Sequence, residues 1–147
     1  MEFGFPKSIV RIIHLYQLFF HANELLWWDL NLKDFFQALG LCHTVIADVK
    51  KDKKSGQSYV AYNASSPDEL ALVNGARHLG FFFKERDEEN NMVCETWDGT
   101  LLFKLLNLIE FDSTRKRMTV VVRTPEGKIL VITKGADSII EKRLKQG

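Results

Sequence analysis

Residues 116–134 constrain the fold of this chain most strongly, because they read as two strands joined by a tight turn. The runs KRMTVVVR and KILVITK are rich in β-branched residues, and the segment TPEG separates them. Pro125 and Gly127 occupy positions that a type I turn favours. This pattern predicts antiparallel pairing in the C-terminal half of the chain.

Further hairpin signals lie upstream. MVCETW and TLLFKLLNLIEF flank Asp98 and Gly99, a pair that marks a primed hairpin turn. The second run also fits helical spacing, so strand and helix are alternatives for it. HTVIADVK and YVAYNA enclose the polar loop KDKKSGQS, which predicts another hairpin. FFF at residues 81–83 predicts a short buried strand, and KERDEENN a solvated loop.

Helix signals alternate with these strands. The segment LKDFFQALG, residues 32–40, places apolar residues on one helical face. Ser66 as N-cap, Pro67 as the first helical residue and Glu69 as the third form a capping box, and Gly80 ends this second helix. The predicted buried stripe of the second helix consists of Leu72, Val73, Ala76 and Leu79.

A third helix signal closes the chain, where Ser138 and Glu141 form another capping box ahead of IIEKRL. The mixed order of hairpins and helices contains no internal repeat. It predicts an α+β fold, an antiparallel β-sheet with flanking helices.

Composition limits the class of protein. The 147 residues suffice for one domain with a hydrophobic core, and 20 basic against 19 acidic residues argue against a nucleic-acid partner. Cys42 and Cys94 match no metal-ligand spacing and read as reduced core thiols, with a single disulfide as the alternative. The run at 9–20 contains polar residues and is shorter than the roughly 20 apolar residues of a membrane span. We therefore expect an amphipathic segment there, or an end that is not native to the domain, and no membrane-spanning helix.

Motifs of the common nucleotide-binding and hydrolytic folds are absent from the sequence. It contains no GxxxxGK[ST], GxGxxG, HExxH or GxSxG. The histidines are scattered without metal-ligand spacing. The residues by themselves predict no catalytic residue and no metal site.

Four stretches stand out in the order FFQALGLCHTV (35–45), ASSPDELALV (64–73), EFDSTRKRMTVVVRT (110–124) and KGAD (134–137). Together they resemble one known family, the nucleotide-binding domain of P-type ATPases. The SPDE motif in the second stretch resembles the phospholipid-transporting branch of that family, the lipid flippases. On this resemblance residues 29–147 form a partial nucleotide-binding domain, whereas residues 1–28 are an N-terminal segment of uncertain nature.

The resemblance implies that three residues bind ATP. Phe111 would stack on adenine, Glu69 would line the adenine end, and Lys134 would reach the nucleotide from the pocket wall. The residue types suit these roles, because an aromatic ring covers a purine, a carboxylate accepts from the adenine amino group, and a lysine attracts phosphate. Residues 115–117 would add positive potential near the triphosphate.

Each assignment has an ordinary structural alternative. The capping box by itself explains Glu69, and the apolar run before Phe111 places that ring in the core on pattern alone. Lys134, taken alone, reads as a surface lysine. A solvated strand edge is the favoured interpretation of the basic residues at 115–117.

For an intact protein the resemblance implies a domain on the cytoplasmic face of a membrane, beside phosphorylation and transmembrane domains. Such a protein transfers the γ-phosphate of ATP, with Mg²⁺, to an aspartate in a DKTGT motif and thereby drives lipid translocation. These 147 residues contain no DKTGT, so we expect the chain to hold ATP without hydrolysing it. The alternatives are a non-catalytic interaction or regulatory module and the corresponding domain of an ion-pumping P-type ATPase.

Overall fold

Two antiparallel sheets and a few helices make up the part of the chain that the structure describes. The computed structural model describes residues 30–144. The predicted boundary at residue 28 and the run at 9–20 lie outside these residues. The described elements are α1 (Leu30–Leu41), β1 (Ile46–Lys51), β2 (Ser58–Asn63), α2 (Pro67–His78), β3 (Phe81–Arg86), β4 (Asn91–Thr96), β5 (Gly99–Asp112), β6 (Arg117–Arg123), β7 (Ile129–Gly135), α3 (Asp137–Ile140) and a 3-10 turn (Glu141–Arg143).

The larger sheet is a meander in the order β3-β4-β5-β6-β7, in which each strand pairs antiparallel with the next. The hairpin of β1 and β2 forms a separate two-stranded sheet. Short turns connect most of these strands, so neighbours in sequence are also neighbours in the sheet. The predicted α+β fold, an antiparallel sheet with helices, is confirmed.

One face of the larger sheet carries the hydrophobic core. Alternate residues along each strand point to this face, as the pleat requires. Helix α2 packs on β3 and contributes Val73 and Ala76, both fully buried. The thiols of Cys42 and Cys94 are buried and free. The buried residues of the sheet are Phe81, Phe83, Met92, Cys94, Phe103, Leu105, Met118, Val120, Val122 and Ile132.

The run that fits both helix and strand spacing is a strand. β5 extends over 14 residues, which makes it the longest of the described elements. Its first half pairs with β4 as far as Lys104, and β6 pairs with it from Lys104 to Asp112. One partner strand therefore pairs with each half of β5 and supplies hydrogen bonds along it, so tertiary context overrides the helical spacing.

Two predictions around β4 are wrong in detail. β3 continues through Lys84 to Arg86, where the sequence predicts loop, because Glu85 pairs with Val93 and Arg86 with Met92 after an irregularity at Lys84. The turn before β5 consists of Trp97 and Asp98, and positive φ falls on the next residue, Gly99, at 117°. A primed turn needs positive φ at its central residues, so this turn is of another type.

The two predicted capping boxes also behave differently from the prediction. In the first, the Ser66 hydroxyl accepts from the Glu69 amide at 3.4 Å, but the carboxylate of Glu69 binds elsewhere. The second box does not form, since α3 begins after Ala136 and Ser138 lies inside the helix. The amide of Ala136 donates to the Lys116 carbonyl at 3.1 Å, and this contact with the sheet fixes where α3 begins.

The end of β7 lies against the turn that joins β5 to β6. Gly135 is paired with Arg117, and a methyl group added to Gly135 would lie 2.5 Å from the carbonyl oxygen of Lys116 and 2.7 Å from Cβ of Arg117. A glycine is therefore required directly after Lys134, because only hydrogen fits between the two chain segments.

We expect Gly135→Ala to lower the free energy of unfolding by about 1–3 kcal/mol, because the added methyl overpacks this contact. Urea unfolding followed by circular dichroism measures the change. Gly75→Ala in α2 is the matched control, since nothing lies within 4 Å of its added methyl. Alanine there should raise stability by about 0.5–1 kcal/mol, because it has less conformational entropy to lose. Equal stability of Gly135→Ala and the wild type would contradict the close contact.

Candidate functional site

Glu69 lies in the first turn of α2, where its side chain is buried with 8% exposure. Its carboxylate does not turn back to complete the capping box. Oε2 accepts from the hydroxyl of Thr44 at 2.5 Å, and Oε1 accepts from the ammonium of Lys134 at 2.9 Å. The capping interpretation of Glu69 is therefore incomplete, because the carboxylate connects three separate chain segments.

Lys134 points to the core-facing side of β7, in line with buried Ile132. Its side chain retains 26% exposure and forms an ion pair with Glu69, which lies 65 residues earlier in the chain. Interpretation as an isolated surface lysine is therefore wrong. An ammonium group has three N–H donors, so two remain for another acceptor.

Opposing effects act on the Glu69 carboxyl group. Burial raises its pKa, but the hydrogen bonds from Thr44 and Lys134 and the positive charge of Lys134 outweigh burial and hold the pKa below the ordinary value of 4.5. The carboxylate is therefore ionised at neutral pH. It can accept a further hydrogen bond, since an ionised carboxylate offers about four lone-pair positions.

Phe111 is exposed to 62%, close to the end of β5. The pattern-based placement in the core is therefore wrong. The Asp112 carboxylate accepts from the amides of Thr114 at 3.0 Å and Arg115 at 2.8 Å, and so closes the turn that follows Phe111. This turn fixes where the aromatic ring leaves the sheet.

The basic residues at 115–117 stabilise the same turn. Arg115 donates from Nη2 to the Glu110 carbonyl at 2.6 Å, and Arg117 donates from Nη1 to the Arg115 carbonyl at 3.2 Å. Lys116 has a φ of 52°, in the left-handed region. These contacts support the interpretation as a strand edge and turn for all three residues.

The turn after Phe111 and the residues after Lys134 are joined by backbone contacts. Arg117 pairs with Gly135, and Ala136 donates to the Lys116 carbonyl. The structure thus brings Glu69 and Lys134 into direct contact and anchors the Phe111 turn beside the end of β7. Every residue of this site belongs to the compact unit that begins at Phe35.

A groove of about 520 Å³ is lined by Thr44, but Glu69, Phe111 and Lys134 do not line it. Thr44 is the residue that the sequence reasoning missed. It stands in the quoted stretch FFQALGLCHTV, but no local signal shows that its hydroxyl meets a carboxylate 25 residues away. The groove is lined by Thr44, Ile46, Arg86, Asn90, Leu105, Leu106, Asn107, Leu108 and Glu110.

The sequence matches a family described as "P-type ATPase, cytoplasmic domain N" over residues 31–146. The chain belongs to this family. The resemblance seen in the four stretches is therefore confirmed, and the matched region includes Glu69, Phe111 and Lys134.

Full-length relatives of this N domain carry the name phospholipid-transporting ATPase. The dnf2 protein of Schizosaccharomyces pombe is 46% identical over 112 residues, which cover 76% of this chain and 8% of the relative. The human phospholipid-transporting ATPase ID is 42% identical over 134 residues, 83% of this chain and 10% of the relative. The probable phospholipid-transporting ATPase 5 of Arabidopsis thaliana is 42% identical over 119 residues, which cover 78% of this chain and 9% of the relative. The chain thus spans a tenth or less of these relatives.

We expect Lys134→Met to lower the free energy of unfolding of the N domain by about 1–3 kcal/mol, because it leaves a buried carboxylate without its cation. Chemical unfolding at pH 7 measures the loss. Lys128→Met, at an exposed position in the turn before β7, is the control and should change stability by less than about 0.5 kcal/mol. Equal effects of the two variants would show that the ion pair does not stabilise the fold.

The depressed pKa of Glu69 makes its contribution to stability depend on pH. Folding favours the ionised form, so the contribution is fully present above the ordinary pKa of 4.5 and is lost as pH falls through the lower folded value. We expect Glu69→Gln to be less stable than the wild type at pH 7, and the difference to shrink as pH falls from 7 to 3. Urea unfolding across this range tests the trend. The exposed Glu88→Gln is the control, and a constant difference for Glu69→Gln would contradict the prediction.

Proposed function

We propose that this N domain binds ATP, with Phe111 stacking on adenine, Glu69 accepting a hydrogen bond from the adenine amino group and Lys134 meeting a phosphate. The observation that carries the proposal is the contact of 2.9 Å between Lys134 and Glu69. Glu69 and Lys134 come from two separate stretches that resemble the family, and their side chains are in contact in the fold. That point combines an acceptor for the base with a cation for the phosphates.

Phe111 supports the proposal through its exposure. A phenylalanine that leaves 62% of its surface in water offers a flat apolar face to a ligand. Stacking of a base on such a ring contributes roughly 1–3 kcal/mol in nucleic-acid complexes. The turn after Phe111 is anchored to the end of β7, so the aromatic ring and the lysine belong to one framework.

Lys134 has to serve two acceptors in the bound state. Its ammonium already donates to Glu69, and its remaining donors are available for a phosphate oxygen. The carboxylate competes with the phosphate for the same charge, which weakens phosphate binding. With one stacking contact and one shared lysine, we expect a dissociation constant on the order of 1 mM, or about 4 kcal/mol.

The resemblance implies Mg²⁺ in the intact protein, but the described residues contain no set of side chains arranged to bind it. Within residues 30–144 no group of His, Cys, Asp or Glu is arranged to hold a metal ion. Mg²⁺ usually binds through substrate phosphates and a few carboxylates. We therefore assign no Mg²⁺ ligand and no metal-dependent step to this chain.

We further propose that the intact protein is a phospholipid-transporting P-type ATPase, as the names of its relatives suggest. This domain would then lie on the cytoplasmic face of a membrane and present ATP to an aspartate in a phosphorylation domain. The phosphoenzyme would drive lipid translocation by transmembrane helices. None of the described helices is long and apolar enough to cross a membrane.

An NMR titration of this chain with ATP and with GTP tests nucleotide binding. We expect ATP-induced shifts around Phe111, Glu69 and Lys134, a preference for ATP, and an affinity loss of about tenfold in Phe111→Ala, the equivalent of one stacking contact. Val131→Ala is the matched control. Val131 is 61% exposed and lies on the face of the sheet opposite to buried Ile132 and Lys134. This variant should bind ATP like the wild type.

The contrary results separate the alternatives. A folded chain without shifts at 10 mM ATP would overturn the binding proposal and favour a non-catalytic interaction module. Shifts that cluster away from Phe111 would refute the assignment of the site. Phospholipid-stimulated ATP hydrolysis by the intact protein distinguishes the lipid transporter from an ion pump.

A further inference from the structure

The Glu69 carboxylate is held from two sides. The Thr44 hydroxyl donates to one oxygen and the Lys134 ammonium donates to the other, at 2.5 and 2.9 Å. The backbone amide of Thr44 adds to the stabilisation of the charged form. Rotation of the carboxylate would break at least one of these contacts, so its orientation is fixed.

Thr44 is itself held by a buried histidine. The His43 side chain is fully buried, with Nε2 2.8 Å from the Gly40 carbonyl oxygen and Nδ1 3.1 Å from the Val45 amide nitrogen. An amide can only donate, so Nδ1 is the acceptor and Nε2 carries the proton. Burial lowers the pKa of His43 to about 3, so the ring is neutral and acts as a backbone brace.

Arg86 strengthens the same brace from β3. Its Nη2 donates to the carbonyl oxygen of His43 at 3.1 Å. The backbone on both sides of Thr44 is therefore fixed, by Arg86 and by the His43 ring. Thr44 is also β-branched and has few side-chain rotamers. These restraints aim its hydroxyl at Glu69.

We propose that Thr44 is a positioning residue that sets the preference of the site for adenine over guanine by fixing the orientation of the Glu69 carboxylate. This inference rests on the proposed binding of ATP at Glu69. The role of Thr44 would explain why the site prefers adenine, which the ion pair between Glu69 and Lys134 does not explain by itself.

The chemistry of the two bases explains why orientation matters. Adenine offers one amino group, which needs one free lone pair of the carboxylate. Guanine carries a carbonyl at that position, but its N1–H and 2-amino group can bind both oxygens of a freely rotating carboxylate at once. Thr44 holds one oxygen and Lys134 holds the other, so the carboxylate cannot rotate to turn both oxygens toward the base. The single remaining contact that adenine needs does not require such a rotation. Selectivity thus comes from excluding the alternative mode.

The first test compares ATP, GTP and inosine triphosphate on the wild-type chain, by NMR titration. Inosine lacks only the 2-amino group of guanine. If the carboxylate is fixed, that group gains nothing, so GTP and inosine triphosphate should bind equally and both about tenfold more weakly than ATP, the loss of one hydrogen bond to a charged group. GTP binding severalfold tighter than inosine triphosphate would overturn the proposal. This test needs no variant.

The second test removes only the Thr44 hydroxyl. Thr44→Val keeps the shape of the side chain, and we expect the ratio of ATP to GTP affinity to fall by about threefold to tenfold. Thr44→Ser restores the hydroxyl and should keep the ratio within about twofold of wild type. Thr133→Val, at an exposed position on β7, controls for loss of a threonine hydroxyl and should have no effect.

The outcomes separate this inference from the proposed function. If the wild type binds no nucleotide, the proposed function fails. If it binds ATP selectively and Thr44→Val keeps the same ratio of ATP to GTP, only the role of Thr44 is refuted. A parallel loss of ATP and GTP affinity in Thr44→Val, with an unchanged ratio, would show a merely structural role.

Discussion

The ion pair between Lys134 and Glu69 is the interaction on which the arrangement of this N domain depends. It connects the start of α2 with the last strand of the sheet, and Thr44 brings the segment after α1 to the same carboxylate. A buried charge is costly unless its oxygens are paired. The three segments must therefore reach Glu69 together, and the site exists only when the helix, the strand and the connecting segment are all in place.

The pairing also gives the site its electrostatic character. Glu69 partly neutralises the charge of Lys134, so the site that we propose carries a positive and a negative group side by side and has little net charge. In the complex that we propose, a base would donate to the carboxylate and a phosphate would accept from the lysine. The exposed ring of Phe111 adds an apolar contact that does not depend on charge. Together these properties agree with the moderate affinity for ATP that we propose.

Local sequence signals predicted most of the fold. Pro125 and Gly127 marked the last hairpin, and Ser66 with Pro67 marked the start of α2, because turns and caps depend on neighbouring residues. The site could not be read in this way. Glu69, Phe111 and Lys134 were nominated only by the family resemblance, and pattern alone explained Glu69 as a cap. Thr44 and Glu69 are 25 residues apart, and their contact follows from tertiary packing that no local signal encodes.

The close contact between Gly135 and the turn at 112–117 also determines where the chain tolerates extra residues. One residue inserted into that turn would shift the register of β6 against β5, and a shift by one position turns every side chain to the opposite face. Met118, Val120 and Val122, now buried, would then face water. Residues 125–127, in the turn between β6 and β7, are exposed and lie at the opposite end of that hairpin from Gly135. Tags, labels or linkers placed there leave the pleat of β6 and the position of Lys134 undisturbed.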